Sequence, residues 1–271
     1  MILPSTIPAD AQAYIEERLA DLAKAEGVTI LFAIESGSRA WGFASADSDY
    51  DVRFVYARRT EDYLSVKAFR DVIETPTVDD VRLGVPLDMN GWDIRKALQL
   101  GMRSNPVLHE WFVSPIVYGA MSPVVLDVAA FVSAAADRAQ YLYHYDRMAR
   151  AAWEQISQDG EQVKVKRYCY GLRPALTLRW LKHRSDLPAM DASGLCAGIG
   201  LDETVVTALA DLFARKRTAG EQDLMPRVPV LDSLIADALA EKPPRPAIDE
   251  PQTLQVAAAD RVFRRVLDQT L

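Results

Sequence analysis

The chain has 271 residues, 49% of them hydrophobic and 25% charged, a balance that sustains a sizeable core and excludes a disordered or fibrous protein. Its formal net charge of −7 argues against indiscriminate nucleic-acid binding, which runs on Lys and Arg neutralising phosphates, although a local basic groove stays open. Cys169 and Cys196 have no Cys or His at metal-ligand spacing, which excludes a structural zinc site, and the absence of a long apolar run or a basic-then-apolar leader predicts a cytoplasmic protein that enters no membrane.

Over 9–26 the apolar residues Ala13, Ile15, Leu19, Leu22 and Ala23 recur at helical spacing and Gly27 supplies a stop, so an N-terminal helix is predicted. The β-branched apolar run 28–34, ended by Gly37, reads as a strand buried on both faces. A second strand over 51–56 sets Val52, Phe54 and Tyr56 against Asp51, Arg53 and Val55. A third, over 81–89, puts Val81, Leu83, Val85, Leu87 and Met89 on one face and Asp88 on the other. Its Pro86 cannot donate a ladder hydrogen bond and predicts an edge position or a bulge. Asn90-Gly91-Trp92 then reads as a turn, with Asp93 capping a helix through Ile94, Ala97, Leu98 and Leu100.

Beyond Pro115 the pattern turns helical, over 122–136, 137–156 and 163–184. The Pro- and Gly-containing stretches 186–200 and 242–251 separate further helices, the last near 257–271. The expected organisation is an α/β domain over 1–118 followed by an all-α domain over 119–271.

Chemistry concentrates where the first strand ends. Asp49 and Asp51 stand two residues apart at the start of a strand, so both carboxylates emerge on one face, close enough to ligate the same cation. Magnesium suits such a set, with manganese the other candidate, and two-metal phosphoryl transfer needs a third carboxylate. Asp88, polar within Leu87-Asp88-Met89, is the first candidate; Asp93 is the rival, explained more simply as a helix cap. Gly37 lets backbone approach a phosphate and Ser38 adds a hydroxyl donor ahead of a helix starting around Arg39, whose unpaired amides would face the anion. Alone, a Gly–Ser pair is a turn and an Asp-x-Asp pair is a solvated Asx turn; their coincidence with a buried strand before and a strand-borne Asp after points to triphosphate and metal.

The strings Glu35-Ser36-Gly37-Ser38-Arg39-Ala40-Trp41-Gly42, Ser48-Asp49-Tyr50-Asp51-Val52-Arg53, 88–96 and 166–174 together resemble the DNA polymerase β-like nucleotidyltransferase superfamily. Within it they look like the branch of nucleotidyltransferases associated with RNA repair, called RlaP. Cys169-Tyr170-Gly171 departs mildly from that branch, where an aromatic and an alanine are usual.

The resemblance implies an α+β fold, with a nucleotidyltransferase-type mixed sheet flanked by helices and followed by an all-α C-terminal domain. It also implies that Gly37 and Ser38 bind triphosphate and that Asp49, Asp51 and Asp88 coordinate magnesium. On the 163–184 helix, Lys166, Tyr170, Arg173 and Thr177 form a polar stripe beside the apolar Val165, Cys169, Leu172 and Leu176. That stripe is either a solvated face or a wall where Lys166 and Arg173 meet phosphates and Tyr170 a base or ribose, and the resemblance tips it toward substrate. Arg39, Arg53 and His144 are left outside the catalytic set: Arg53 either touches phosphate or pairs with the aspartates, and His144 reads as a packed residue.

The expected activity is transfer of a nucleoside monophosphate from a nucleoside triphosphate to an acceptor hydroxyl, on an RNA or tRNA end, with release of pyrophosphate. The alternatives are a protein or small-molecule acceptor in a toxin and antitoxin setting, and a non-catalytic nucleotide- or RNA-binding module.

Overall fold

The computed structural model describes residues 6–220, 222–247 and 253–269. In chain order the elements are α1 (Ala9–Glu26), β1 (Thr29–Glu35), α2 (Gly37–Trp41), β2 (Tyr50–Ala57), α3 (Thr60–Tyr63), β3 (Val72–Glu74), β4 (Val78–Asp80), β5 (Val85–Asp93), α4 (Ile94–Met102), α5 (Pro106–Phe112) and β6 (Val117–Tyr118). There follow α6 (Val125–Ala134), α7 (Arg138–Gln158), β7 (Gln162–Lys164), α8 (Val165–His183), α9 (Ala192–Gly198), α10 (Glu203–Thr218), β8 (Leu224–Pro226), α11 (Pro229–Leu239) and α12 (Thr253–Gln269). The final helix was expected near 257–271; it begins earlier, and residues 270–271, like 1–5 of the leader reading and 248–251 of the predicted break, lie outside the described residues.

The chain forms two compact units interleaved along the sequence. A sheet unit takes residues 6–37, 49–136 and the last helix; a helical unit takes the short segment 38–48 and most of 137–247.

In the sheet unit the strand order is β3-β5-β2-β1-β6, with β4 also on β5. Among the described residues only β2 and β5 run parallel; β1 pairs antiparallel with β2 and β6, and β3 and β4 pair antiparallel with β5. Alternation along β2 divides the core in two. Tyr50, Val52, Phe54 and Tyr56 pack with Ile15 and Leu19 of α1, whereas Val55 and Ala57 pack with Ile94, Leu98, Leu108, Val128 and Val266 from α4, α5, α6 and α12. Asp51 and Arg53 are therefore on the second face, where the packed helices give way to solvent. Gly27, at φ 64°, ends α1 by donating its N–H to the Ala23 carbonyl.

Two expectations are corrected in β5. The Asn90-Gly91-Trp92 segment is strand, not turn: Arg53, Phe54 and Val55 pair with it on one side, and β3 pairs with it on the other. Gly91 is there for close approach, since a Cβ on it would lie 2.1 Å from the Phe54 ring. The strand also starts later than read, at Val85, and is internal to the sheet. Pro86 is tolerated because it pairs only with Asp79 and stands before the β2 register opens at Leu87.

In the helical unit α7 and α8 pack closely because Gly171 faces the Ile156 side chain, where a Cβ would come within 2.6 Å. The strands β7 and β8 form a small antiparallel ribbon. Among the described residues no helix is long and apolar enough to cross a membrane.

Candidate active site

The parallel register of β2 and β5 sets Asp51 directly opposite Asp88. Neighbouring strands lie about 4.8 Å apart, so two carboxylates on one face at matched positions repel unless something neutralises them. Arg53, on the same face of β2, does so: its Nη2 donates to Asp51 Oδ1 at 3.1 Å and Asp88 Oδ2 at 2.7 Å, while its Nη1 donates to the Val52 and Asp88 carbonyls. Burial pushes the Asp51 carboxyl above its ordinary value; Arg53 opposes that, and the charges of Asp88 and Asp49 reinforce it. Asp49 thus belongs to the same electrostatic group as the other two.

Asp51 is held from behind by a residue the sequence reading quoted but gave no role. Glu35, fully buried at the end of β1, accepts the Asp51 N–H at 2.9 Å through Oε1 and the Tyr118 hydroxyl through Oε2. The Ser36 N–H donates back to the Asp51 carbonyl at 2.8 Å. A charged residue closing an apolar β-branched run was the available signal. Gly37 has φ 58°, and a Cβ there would stand 2.0 Å from Asp51 Oδ2. Its lack of a side chain gives the carboxylate its space, in addition to any approach by phosphate.

Asp93 lies at the other end of β5. Its carboxylate caps α4, accepting the Arg95 N–H at 2.8 Å, and also accepts the Tyr63 hydroxyl at 2.9 Å. The structure brings Asp88, not Asp93, beside Asp51.

Among the described residues no three His, Cys, Asp or Glu side chains are gathered tightly enough to hold a metal ion as they stand. The donors nevertheless fit a hard divalent cation in kind, being carboxylate oxygens of adjacent strands, and the positive charge such an ion would bring is supplied by Arg53.

The helical unit carries the remaining predicted residues. Ser38 is buried, and its carbonyl accepts the Phe43 N–H at 3.1 Å. Arg39 reaches along its own segment to the Ser48 carbonyl, closing the loop that ends at Asp49. That loop is pinned by Lys216 of α10, only 2% exposed, which donates to Ser45 Oγ at 2.6 Å; the Ser45 N–H in turn donates to Ser48 Oγ. Sequence reasoning missed Lys216, which looks like one of three ordinary cations in the last turn of α10.

Half of the polar stripe of α8 is covered. Arg173 and Thr177 are buried; Arg173 Nε donates to the Met190 carbonyl at 3.1 Å and its guanidinium lies 4.4 Å from the Trp41 ring centre. Tyr170 meets Trp41 edge-on at 5.2 Å and stays 37% exposed, with Lys166 Nζ 5.8 Å from its ring. His144 packs edge-on against Tyr145 at 5.2 Å.

A mixed sheet bearing matched carboxylates on parallel neighbours behind a Gly–Ser turn is a nucleotidyltransferase-like layout of the polymerase β superfamily. The chain belongs to RlaP, the RNA repair pathway DNA polymerase beta family, whose family model matches residues 11–265. It is 39% identical over 221 residues to the uncharacterized protein YcgL of Bacillus subtilis (strain 168), a match covering 82% of each chain. A structural likeness to a nucleotidyltransferase-like protein from Exiguobacterium sibiricum 255-15 covers 94% of this chain and 80% of the other, at 9% identity and a TM-score of 0.32, and carries nothing about the site.

Proposed function

We propose that the protein is a metal-dependent nucleotidyltransferase that moves a nucleoside monophosphate from a nucleoside triphosphate to an acceptor hydroxyl on an RNA or tRNA end, releasing pyrophosphate. The observation that carries the reading is the register pair of Asp51 and Asp88, charge-balanced by Arg53 and backed by Glu35. Asp49, Asp51 and Asp88 would hold magnesium or manganese, which when bound neutralises triphosphate charge and lowers the acceptor hydroxyl's pKa.

The chain's own contribution is positioning. Glu35 fixes the backbone of Asp51, so the carboxylate projects at a set height over the sheet. Gly37 leaves that carboxylate unobstructed. Lys216 and Arg39 hold the loop leading into Asp49. Gly37 and Ser38 bind the triphosphate, and Lys166 and Tyr170 contact substrate; Arg173 enters through the Trp41 ring it supports. Two buried free cysteines fit a reducing compartment, so the reaction is assigned to the cytoplasm.

Incubation with each labelled nucleoside triphosphate, magnesium or manganese, and a panel of RNA, tRNA, protein and small-molecule acceptors tests the reading. Label is expected on RNA or tRNA, and the Asp49→Asn/Asp51→Asn double variant is expected to lose incorporation while keeping its melting temperature. Full activity in that variant sinks the assignment. A second reading, a non-catalytic nucleotide-binding module, is favoured by the Arg53 bridge, which already satisfies Asp51 and Asp88 without metal. Triphosphate binding without turnover on every acceptor would select it.

A further inference from the structure

Away from the carboxylate site, the sheet unit contains a cavity of about 340 Å³, within the range of small-molecule sites. It opens at the far ends of β2 and β5. Tyr56 and Asp93 stand five register positions beyond Asp51 and Asp88, roughly 16 Å along the strands. Its lining carries four cations, Arg58, Arg70, Arg95 and Lys96, against the carboxylates of Asp62, Asp71 and Asp93, and Arg70 is paired with Glu74.

Three features say what this cavity takes. First, the Arg58 side chain is only 9% exposed; its Nη1 donates to the Glu26 carbonyl and its Nη2 pairs with the Glu26 carboxylate at 3.8 Å, but its Nε is buried with no hydrogen-bond partner. A buried guanidinium N–H left unpaired is costly, and an incoming anion would satisfy it. Second, Arg95 and Lys96 sit in the first turn of α4, the end of a helix that disfavours cations and attracts anions. Arg95 is held over the Tyr63 and Phe263 rings at 4.8 and 5.4 Å, which keeps its charge at the cavity mouth. Third, the half-exposed Phe69 lies across Arg58, with the guanidinium 4.7 Å from its ring centre. An exposed aromatic ring beside clustered cations suits a ligand with a phosphate and a flat base. Of the lining carboxylates, Asp93 is spent on the α4 cap and Asp71 pairs with Lys96 at 3.3 Å, while Asp62 provides an acceptor for ribose hydroxyls.

We infer that the cavity between α3, the Phe69 loop and the start of α4 is a second, metal-independent binding site for a nucleotide, free or as one unit of an RNA strand. The phosphate sits against Arg58 and Arg95, with Lys96 held beside them by Asp71, and the base stacks on Phe69. This site is separate from the proposed catalytic carboxylates and does not depend on their assignment.

Equilibrium dialysis of labelled AMP against the full chain in EDTA tests it. Saturable binding is expected, unchanged in Asp49→Asn/Asp51→Asn. It should weaken about tenfold or more in Arg95→Ala/Lys96→Ala and severalfold in Phe69→Ala; Arg95 and Phe69 are exposed and Lys96 is partly buried beside Asp71, so replacing them leaves the core intact. Competition separates the sources: displacement at lower concentration by a short oligoribonucleotide assigns an RNA strand, and displacement only by free nucleotides assigns a small molecule. The inference is overturned if AMP does not bind without metal, if binding survives the Arg95/Lys96 and Phe69 changes, or if inorganic phosphate displaces AMP as well as AMP itself does. Loss of catalysis in the aspartate variant, with AMP binding intact, leaves this site standing whatever becomes of the enzymatic reading.

Discussion

Arg53 decides how the carboxylate pair behaves. Asp51 and Asp88 face each other across parallel strands, and a single guanidinium ties them together through two charge-assisted bonds. Replacing it by Met keeps most of the stem packing but leaves two partly buried carboxylates opposed. We expect Arg53→Met to lower stability by about 1–2 kcal/mol in EDTA. If the aspartates are metal ligands, millimolar magnesium should recover most of that loss, because an ion that binds only the folded state stabilises it by mass action. The wild-type protein, already neutralised, should respond less. Thermal melts of both proteins with and without magnesium read this out, and a variant melting point indifferent to the ion would count against the ligand assignment. The same pair shows what a sequence can yield at this scale: Asp51 was legible from its two-residue spacing to Asp49 at a strand start, and Asp88 from its place inside the apolar Leu87-Asp88-Met89. The arginine's role was open between phosphate and aspartate, because a side chain's partner depends on register, which no single strand encodes. Glu35 lay in the quoted motif without a role, for its partner is a backbone N–H sixteen residues on.

At the level of elements, periodicity located α1, β1, β2 and the long helices α7 and α8, because each has one face or one run dictated by its neighbours. It failed where local chemistry and tertiary context disagreed. Asn90-Gly91 carries a strong turn signature, yet β3 and β2 claim it from both sides as strand. The α8 stripe of Lys166, Tyr170, Arg173 and Thr177 was legible as a helix face but not as a covered one, since the Met190 carbonyl and Trp41 ring that bury Arg173 come from distant segments. The short α5, capped by Asn105 with Pro106 in its first turn, was passed over because seven residues give too little periodicity. Gly91 allows the strand assignment to be tested. Its missing Cβ makes room for Phe54, so Gly91→Ala should overpack the sheet and cost about 1–3 kcal/mol in urea unfolding. A turn glycine with free space around it would lose far less, and a near-neutral result would contradict the packing.

For the molecule as a whole, buried acids with raised pKa values make stability fall on the alkaline side. Burial pushes the Cys169 thiol from its ordinary 9.0 to about 12, partly opposed by the nearby Lys216. Burial, followed by the charge of Asp191, raises Cys196 to about 12 as well. A thiol with a raised pKa keeps its proton in the folded state after the unfolded chain has released it. Between about pH 9 and 12 the native state therefore binds more protons than the unfolded one, so stability falls as pH rises; below pH 9 both states are protonated and the contribution is fully present. Each such group contributes a slope of about 1.4 kcal/mol per pH unit within that window. Tyr56 and Tyr168, also raised chiefly by burial, add to the background above pH 10. Cys169→Ala removes one thiol from the balance, so its stability should decline less steeply than wild type between pH 9 and 11, whatever its stability at pH 7. Urea titrations at each pH give the two slopes, and parallel lines would mean that the Cys169 thiol ionises alike in the folded and unfolded chain. Alkylation offers an independent check on the same burial: native protein at pH 8 should leave both thiols unmodified, and denatured protein should take up two equivalents.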